Sequence, residues 1–252
     1  MTVSSETPAP LPVVKLIEKI QVADETMSFQ FEKPTGFEYK AGQFADYTLL
    51  DPAQTDAEGS TRGFSLSSAP YEPFLMATTR LRDTAFKRVL RNSPIGTSVM
   101  LDAPWGSFTL HNNISRPAVF LTGGIGITPV RSIVMQAVHD HTAHTMMIFD
   151  SNPTPGEAAF LAELTRLGAE NENFTFVPTM TRLQPGEQFG GVPWAGETGH
   201  VDAAMLARYV TDLAAPIYYL CGPGAMVKAM REVLEGAGVD ADDIRTEEFT
   251  GY

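Results

Sequence analysis

The chain has 252 residues, 43% of them hydrophobic, enough for a core in one large domain or in two of about 100 to 150 residues. Its formal charge of −12 argues against a general binder of nucleic acid or anionic membranes, because attraction to phosphates needs an excess of Lys and Arg. A single cysteine, Cys221, excludes an internal disulfide, a four-cysteine iron–sulfur site and a cysteine-rich zinc site, so redox chemistry must come from a bound cofactor or a partner.

Residues 1 to 12, rich in Ser, Thr and Pro, read as a flexible tail. They lack a positive start and an apolar stretch, and no apolar run approaches the ~20 residues that span a bilayer. The expectation is a soluble, cytoplasmic chain without membrane insertion.

From Val13 short segments rich in β-branched and aromatic residues follow one another: "VVKLIEKIQV", "MSFQFEK", "GQFADYTLL", "GFSLSS", "FLMATTRL" and "SVMLDAP". One helix interrupts them, starting at Asp83 or Thr84 and running through "AFKRVLRN". Six strands at this spacing predict a small antiparallel barrel or sandwich. After residues 111 to 117 the rhythm changes to alternating strands and helices, which implies a mostly parallel sheet covered on both faces. The strands are "AVFLT", "TMMIFD", "FTFVPTM", "IYYLC" and "IRTEEF". The helices are the one carrying Val130, Ile133, Val134, Ala137 and Val138, then "GEAAFLAELTRLG", "DAAMLARYVTDL" and "GAMVKAMREVLEGAG".

Two glycine turns stand out in the second half. "TGGIGITP" (122 to 129) lies between a strand and a helix, where glycines admit a close ligand and free helix amides favour phosphate. "CGPGAM" (221 to 226) repeats the arrangement one crossover later, and ligands of open α/β sheets bind beyond the carboxyl ends of the strands. Cys221 at such a strand end also reads as a small buried hydrophobe. Asp150, at the end of "TMMIFD", suits the free 2′-hydroxyl of an adenosine ribose, which leans towards NADH, whereas Arg131 or Arg182 near the site would suit the 2′-phosphate of NADPH.

In the first half, "RGFSLSS" (62 to 68) places Arg62 and Phe64 on one face of a strand. A guanidinium beside an aromatic plane can hold a phosphate while the ring stacks on a flat heterocycle, and Ser65 can offer a hydroxyl to its rim. The bland alternative is an amphipathic strand with a surface arginine.

Taken together, "RGFSLSS", "GGIGITP", "CGPGAM" and the closing acid and aromatic of "RTEEFTGY" resemble, in order and spacing, the ferredoxin–NADP reductase superfamily over residues 13 to 252. The resemblance implies a flavin-binding β-barrel domain over residues 13–112, an NAD(P)-binding α/β domain over residues 117–252, and FAD rather than FMN as the cofactor. It implies that Arg62 and Gly63 hold the flavin phosphate, that Phe64 stacks on the isoalloxazine and that Ser65 bonds near N5. Thr84 would open a pyrophosphate-binding helix, although "DTAF" departs from the glycine and serine usual there. Gly123, Gly124, Gly126, Thr128 and Pro129 would form the nucleotide turn, and Cys221, Gly222 and Pro223 would lie beside the nicotinamide. Glu247 would relay protons, and Phe249, with Tyr252 as a rival, would cover the second flavin face. The implied reaction is hydride transfer from NADH or NADPH to FAD, then delivery of electrons to a separate acceptor protein such as a ferredoxin or an oxygenase component. The alternatives are a reductase of free flavin or small quinones, and a non-catalytic nucleotide-binding subunit.

Two further clusters are notable. "HDHTAH" (139 to 144) reads as solvated histidines at a helix end, where they suit the helix dipole, and no metal is expected. Arg80, Arg82, Lys87, Arg88 and Arg91 crowd twelve residues that hold one acid, Asp83, and read as a solvated face, a phosphate site or a docking patch for an acidic carrier.

Overall fold

A computed structural model describes residues 10–249. Strands β1 (Val13–Ala23), β2 (Thr26–Glu32), β3 (Phe44–Leu49), β4 (Thr61–Ser65), β5 (Phe74–Arg80) and β6 (Ser98–Trp105) form one antiparallel sheet in the order β4-β3-β6-β1-β2-β5. The alternation in β3 shows why: Ala45, Tyr47 and Leu49 are buried while Phe44, Asp46 and Thr48 face outwards. Inward side chains of all the strands meet in one core with Leu16, Phe29, Phe31, Leu75 and Val99. Closure is slight. The edge strands β4 and β5 touch through a single bridge, Leu66 to Ala77, supported by the Ser67 amide donating to the Met76 carbonyl at 2.8 Å.

Helix α1 (Ala85–Asn92) caps this core with Phe86 and Leu90. It begins where Thr84 acts as N-cap, its hydroxyl accepting from the Lys87 amide at 3.4 Å.

The second half holds β7 (Ala118–Gly123), α2 (Ile127–His139), β8 (Met146–Asn152), α3 (Leu161–Glu170) and β9 (Phe174–Met180). The short strands β10 (Gln188–Phe189), β11 (Val192–Pro193) and β12 (Glu197–Thr198) follow, then α4 (Ala203–Tyr209), β13 (Ile217–Pro223), α5 (Gly224–Gly236) and β14 (Ile244–Phe249). The sheet order is β12-β9-β8-β7-β13-β14, and every pairing in it is parallel. β7 is buried along its whole length, as a strand covered on both faces must be. Ile133 and Val134 of α2 and Leu164 of α3 pack with Phe120 and Tyr219 on one face, and Met205 of α4 and Leu234 of α5 pack with Leu121 and Tyr218 on the other.

Several boundaries move. The helix read from Gly156 starts at Leu161, because Phe160 takes a left-handed backbone (φ 60°) to place its ring over the Arg131 guanidinium, 5.1 Å away. The strands β10 to β12 lie in a stretch to which the sequence assigns no element. His144, expected in solvent, is buried, its ring 5.0 Å from that of His111. No described helix is long and apolar enough to cross a membrane.

The two sheets are joined by Arg131. From α2 its guanidinium pairs with Glu163 of α3 at 2.7 Å and, across the joint, with Glu72 at 3.0 Å and the Ser67 carbonyl at 2.7 Å. Beside it Ser132 donates to the Ser68 carbonyl at 2.6 Å.

Candidate functional site

β7 and β13 are neighbours, yet the chain runs from β7 outwards through β8 and β9 and from β13 outwards to β14. The order therefore reverses between them, and their carboxyl ends are where open α/β sheets bind ligands. Both glycine turns lie there. The first tightens into a short 3₁₀ turn, Gly124–Gly126, before α2. A Cβ on Gly126 would come within 2.1 Å of the Cys221 carbonyl oxygen, so only glycine lets this turn lie against β13. Gly124 (φ 55°) turns the chain beneath Arg80, whose Nη2 lies 3.2 Å from the position a Cβ would take.

In front of these turns a crevice of about 310 Å³ runs between the two halves. From the antiparallel half come Phe44, Gly63, Phe64 and Ser65, with Thr78, Thr79, Arg80, Arg82 and Lys87 behind them. Ile125 and Thr128 of the glycine turn and Glu247, Glu248 and Phe249 of β14 supply the opposite side. Phe64 and Phe249 thus reach one space from strands far apart in sequence.

The three serines of "RGFSLSS" part company here. Ser67 bonds Thr78 at 2.8 Å, and Ser68 bonds Tyr39 at 2.9 Å and the Met76 amide at 3.0 Å. The Ser65 hydroxyl is buried and has no hydrogen-bond partner among the described residues. An orphaned buried hydroxyl costs free energy unless something pairs with it, and this one stands unpaired in a crevice lined by Phe44, Phe64 and Phe249. That fits a flavin ring. Burial pushes the Glu247 carboxyl up to about 7, which lets it hold or release a proton near neutral pH. Burial, and then Arg82 and Arg62, hold the Lys87 ammonium below its ordinary value.

Several expected residues do not line this crevice directly. Arg62 does not line the crevice; its guanidinium is engaged by Asp56 at 3.0 Å and Glu58 at 2.8 Å within the loop before β4. Cys221 is fully buried among Ile127, Val130 and Tyr219, and burial raises its thiol well above the ordinary value, so it packs rather than reacts. Asp150 is also fully buried, accepting from the Thr122 hydroxyl at 2.6 Å and the Asn152 amide at 2.7 Å. A carboxylate so enclosed does not read a ribose, and the lean towards NADH loses its basis. Arg131 is spent at the joint, whereas Arg182 is exposed, its amide bonded to the Pro153 carbonyl at 2.9 Å beyond the end of β8.

Gly123 and Gly222 touch backbone to backbone where the two turns meet. Thr128 and Pro129 are buried in the first turn of α2, with the Thr128 hydroxyl donating to the Ile125 carbonyl at 3.0 Å. Pro223, the last residue of β13, lies opposite Phe249 in the sheet. Thr84 caps α1 outside the crevice lining. Tyr252 lies outside the described residues. Phe44 was missed, because its outward position beside Ser65 depends on the β3–β4 register rather than on any local pattern.

Residues 120–232 match the model of the oxidoreductase NAD-binding domain family. The glycine betaine monooxygenase reductase subunit of Chromohalobacter salexigens is 28% identical over 241 residues, a match covering 94% of this chain and 63% of that protein. The chain thus spans less than two thirds of this relative's length. The FAD/NAD-binding domain of nitric oxide dioxygenase from Vibrio cholerae superposes with a TM-score of 0.81 at 21% identity, covering 96% of this chain and 99% of that one. A ferredoxin–NADP reductase from Neisseria gonorrhoeae with bound FAD and NADP superposes with a TM-score of 0.78 at 22% identity, again covering 96% and 99%. The chain thus shares the two-part fold of these two structures, and residues 120–232 of its parallel-sheet half match the oxidoreductase NAD-binding domain family.

Proposed function

We propose that the chain is an NAD(P)H-dependent flavoprotein reductase that holds FAD in the crevice and delivers electrons to a separate acceptor, such as an oxygenase component or a ferredoxin. The observation that carries the reading is the convergence of Phe64, the unpartnered Ser65 hydroxyl, the glycine turn and Phe249 on one crevice. The similarity to a monooxygenase reductase subunit supports the acceptor class. The donor is NADH or NADPH.

A bound flavin would supply the redox chemistry, acceptance of a hydride from reduced nicotinamide and release of electrons singly. The protein supplies position and electrostatics. Phe64 gives a flat surface for the ring, and Phe249 occupies the space into which a nicotinamide would move. The Ser65 hydroxyl would donate a hydrogen bond to the flavin rim and so favour the form that carries more negative charge there. The 124–126 turn and the first amides of α2 receive the nucleotide phosphates. Glu247, with its raised affinity for a proton, holds or yields one beside the reacting rings.

The test is reconstitution. Purified chain mixed with FAD and passed through a desalting column should retain yellow colour in stoichiometric amount, and Phe64→Ala should retain much less. A chain that stays colourless would end this reading.

A further inference from the structure

The loop joining β3 to β4 places two acids where a flavin phosphate is expected. Arg62 Nη1 donates to the carbonyls of Glu58 (2.9 Å), Gly59 (3.1 Å) and Thr61 (2.7 Å), while Nη2 pairs with Asp56 Oδ1 at 3.0 Å and Glu58 Oε2 at 2.8 Å. The guanidinium lies 5.5 Å from the Phe86 ring, and its side chain is only 16% exposed. The second Asp56 oxygen accepts from the Ala85 amide, the first of α1, at 2.9 Å. One carboxylate therefore spans both the guanidinium and a helix start, two groups that would otherwise attract an anion. Next to them, the crevice with the unpartnered Ser65 hydroxyl is lined by Arg82 and Lys87, neither of which forms an ion pair among the described residues.

We propose that Asp56 and Glu58 are specificity residues that compete with the phosphate of an incoming flavin: they occupy the Arg62 cradle, and the phosphate reaches it only by displacing them. The proposal rests on the flavin reading of the crevice. A carboxylate and a phosphate want the same donors and repel one another, so both cannot be held there at full strength. The isoalloxazine end is indifferent to this contest. Riboflavin, which has the ring and no phosphate, meets no competition, whereas FMN and FAD do.

The experiment is equilibrium binding of riboflavin, FMN and FAD, followed by flavin fluorescence, to wild type, Asp56→Asn, Glu58→Gln and the double variant. The double variant should bind FMN and FAD at least about tenfold more tightly, the factor carried by one charge-assisted hydrogen bond, with riboflavin unchanged. Unchanged or weaker FMN and FAD binding overturns the proposal, since Asp56 would then be acting only as a brace for α1. Glu58→Gln guards against a folding artefact, because the Glu58 side chain is 71% exposed and pairs with Arg62 rather than with a residue of α1; it should show a smaller gain of the same sign. If wild type binds none of the three flavins, the flavin reading fails on its own. Thermal shift with inorganic pyrophosphate then decides the proposal: the double variant is stabilised more than wild type if the acids compete, and equally if they do not.

Discussion

The Thr122 hydroxyl donates to the Asp150 carboxylate at 2.6 Å, inside the sheet and directly beneath the first glycine turn. Burial raises the Asp150 pKa to about 7 despite this bond, the one from Asn152 and the field of Arg80. The folded chain therefore holds a proton at pH 5 to 7 that the unfolded chain releases near its ordinary value of 3.8, and stability falls as pH rises through that window, then levels off above about 7. Asp150→Asn should lack this slope. Its amide can face the Thr122 hydroxyl, which has the Phe149 carbonyl at 3.3 Å as another acceptor. Between pH 5.5 and 7, urea unfolding should show wild type losing about 2 kcal/mol more than the variant. Parallel curves would mean that Asp150 is ionised in place.

The glycines of the first turn are unequal. A Cβ at Gly126 meets the Cys221 carbonyl oxygen at 2.1 Å and the Gly222 Cα at 2.7 Å, both of them backbone. A Cβ at Gly123 meets the Met226 sulfur at 2.4 Å, the movable part of a flexible side chain. Gly126→Ala should therefore cost about 3 kcal/mol or more, while Gly123→Ala costs under about 1.5, measured as shifts in the urea midpoint. Equal losses would show that the turn is not pressed on β13.

Arg131 is the charged joint between the halves. Arg131→Ala leaves Glu72, itself nearly buried, without a counter-charge, and should cost about 3 to 5 kcal/mol. Arg131→Met combined with Glu72→Gln should recover a large part of that loss. A single variant as stable as wild type would mean that water already carries these charges.

How much of this was legible in the sequence follows from the range of each signal. The alternation in "FADYTL" and the strand–glycine–helix order around Gly124 are local patterns, and the elements formed where those patterns stand. The side chains that changed role did so through partners far along the chain. Asp150 meets Thr122 only after β7 and β8 pair, and Arg62 meets Asp56 only once the preceding loop folds back on β4. Cys221 lies in a strand whose alternate residues face opposite cores, and no local pattern says which face holds the crevice. Ser65 differs from Ser67 and Ser68 because Thr78, Tyr39 and the Met76 amide reach only the latter two hydroxyls, and the heptapeptide itself shows none of these partners.

Ser65 separates stability from function. Its hydroxyl has no partner among the described residues, so Ser65→Ala should change stability by less than about 0.5 kcal/mol. Ser68→Ala removes partners of Tyr39 and Met76 and should cost about 1 to 3 kcal/mol. In flavin-loaded protein, Ser65→Ala should slow reduction by reduced nicotinamide about tenfold or more in stopped flow, the loss expected for one hydrogen bond to a group that gains charge. An unchanged rate would remove Ser65 from the site.

The most direct test of the central claim is an anaerobic titration of the FAD-loaded chain with NADH and, separately, NADPH, followed by visible absorbance. One equivalent of the preferred nucleotide should bleach the bound flavin, and readmitted oxygen or an added one-electron acceptor should restore the colour. Flavin that stays bound yet oxidised in the presence of both nucleotides would contradict the account.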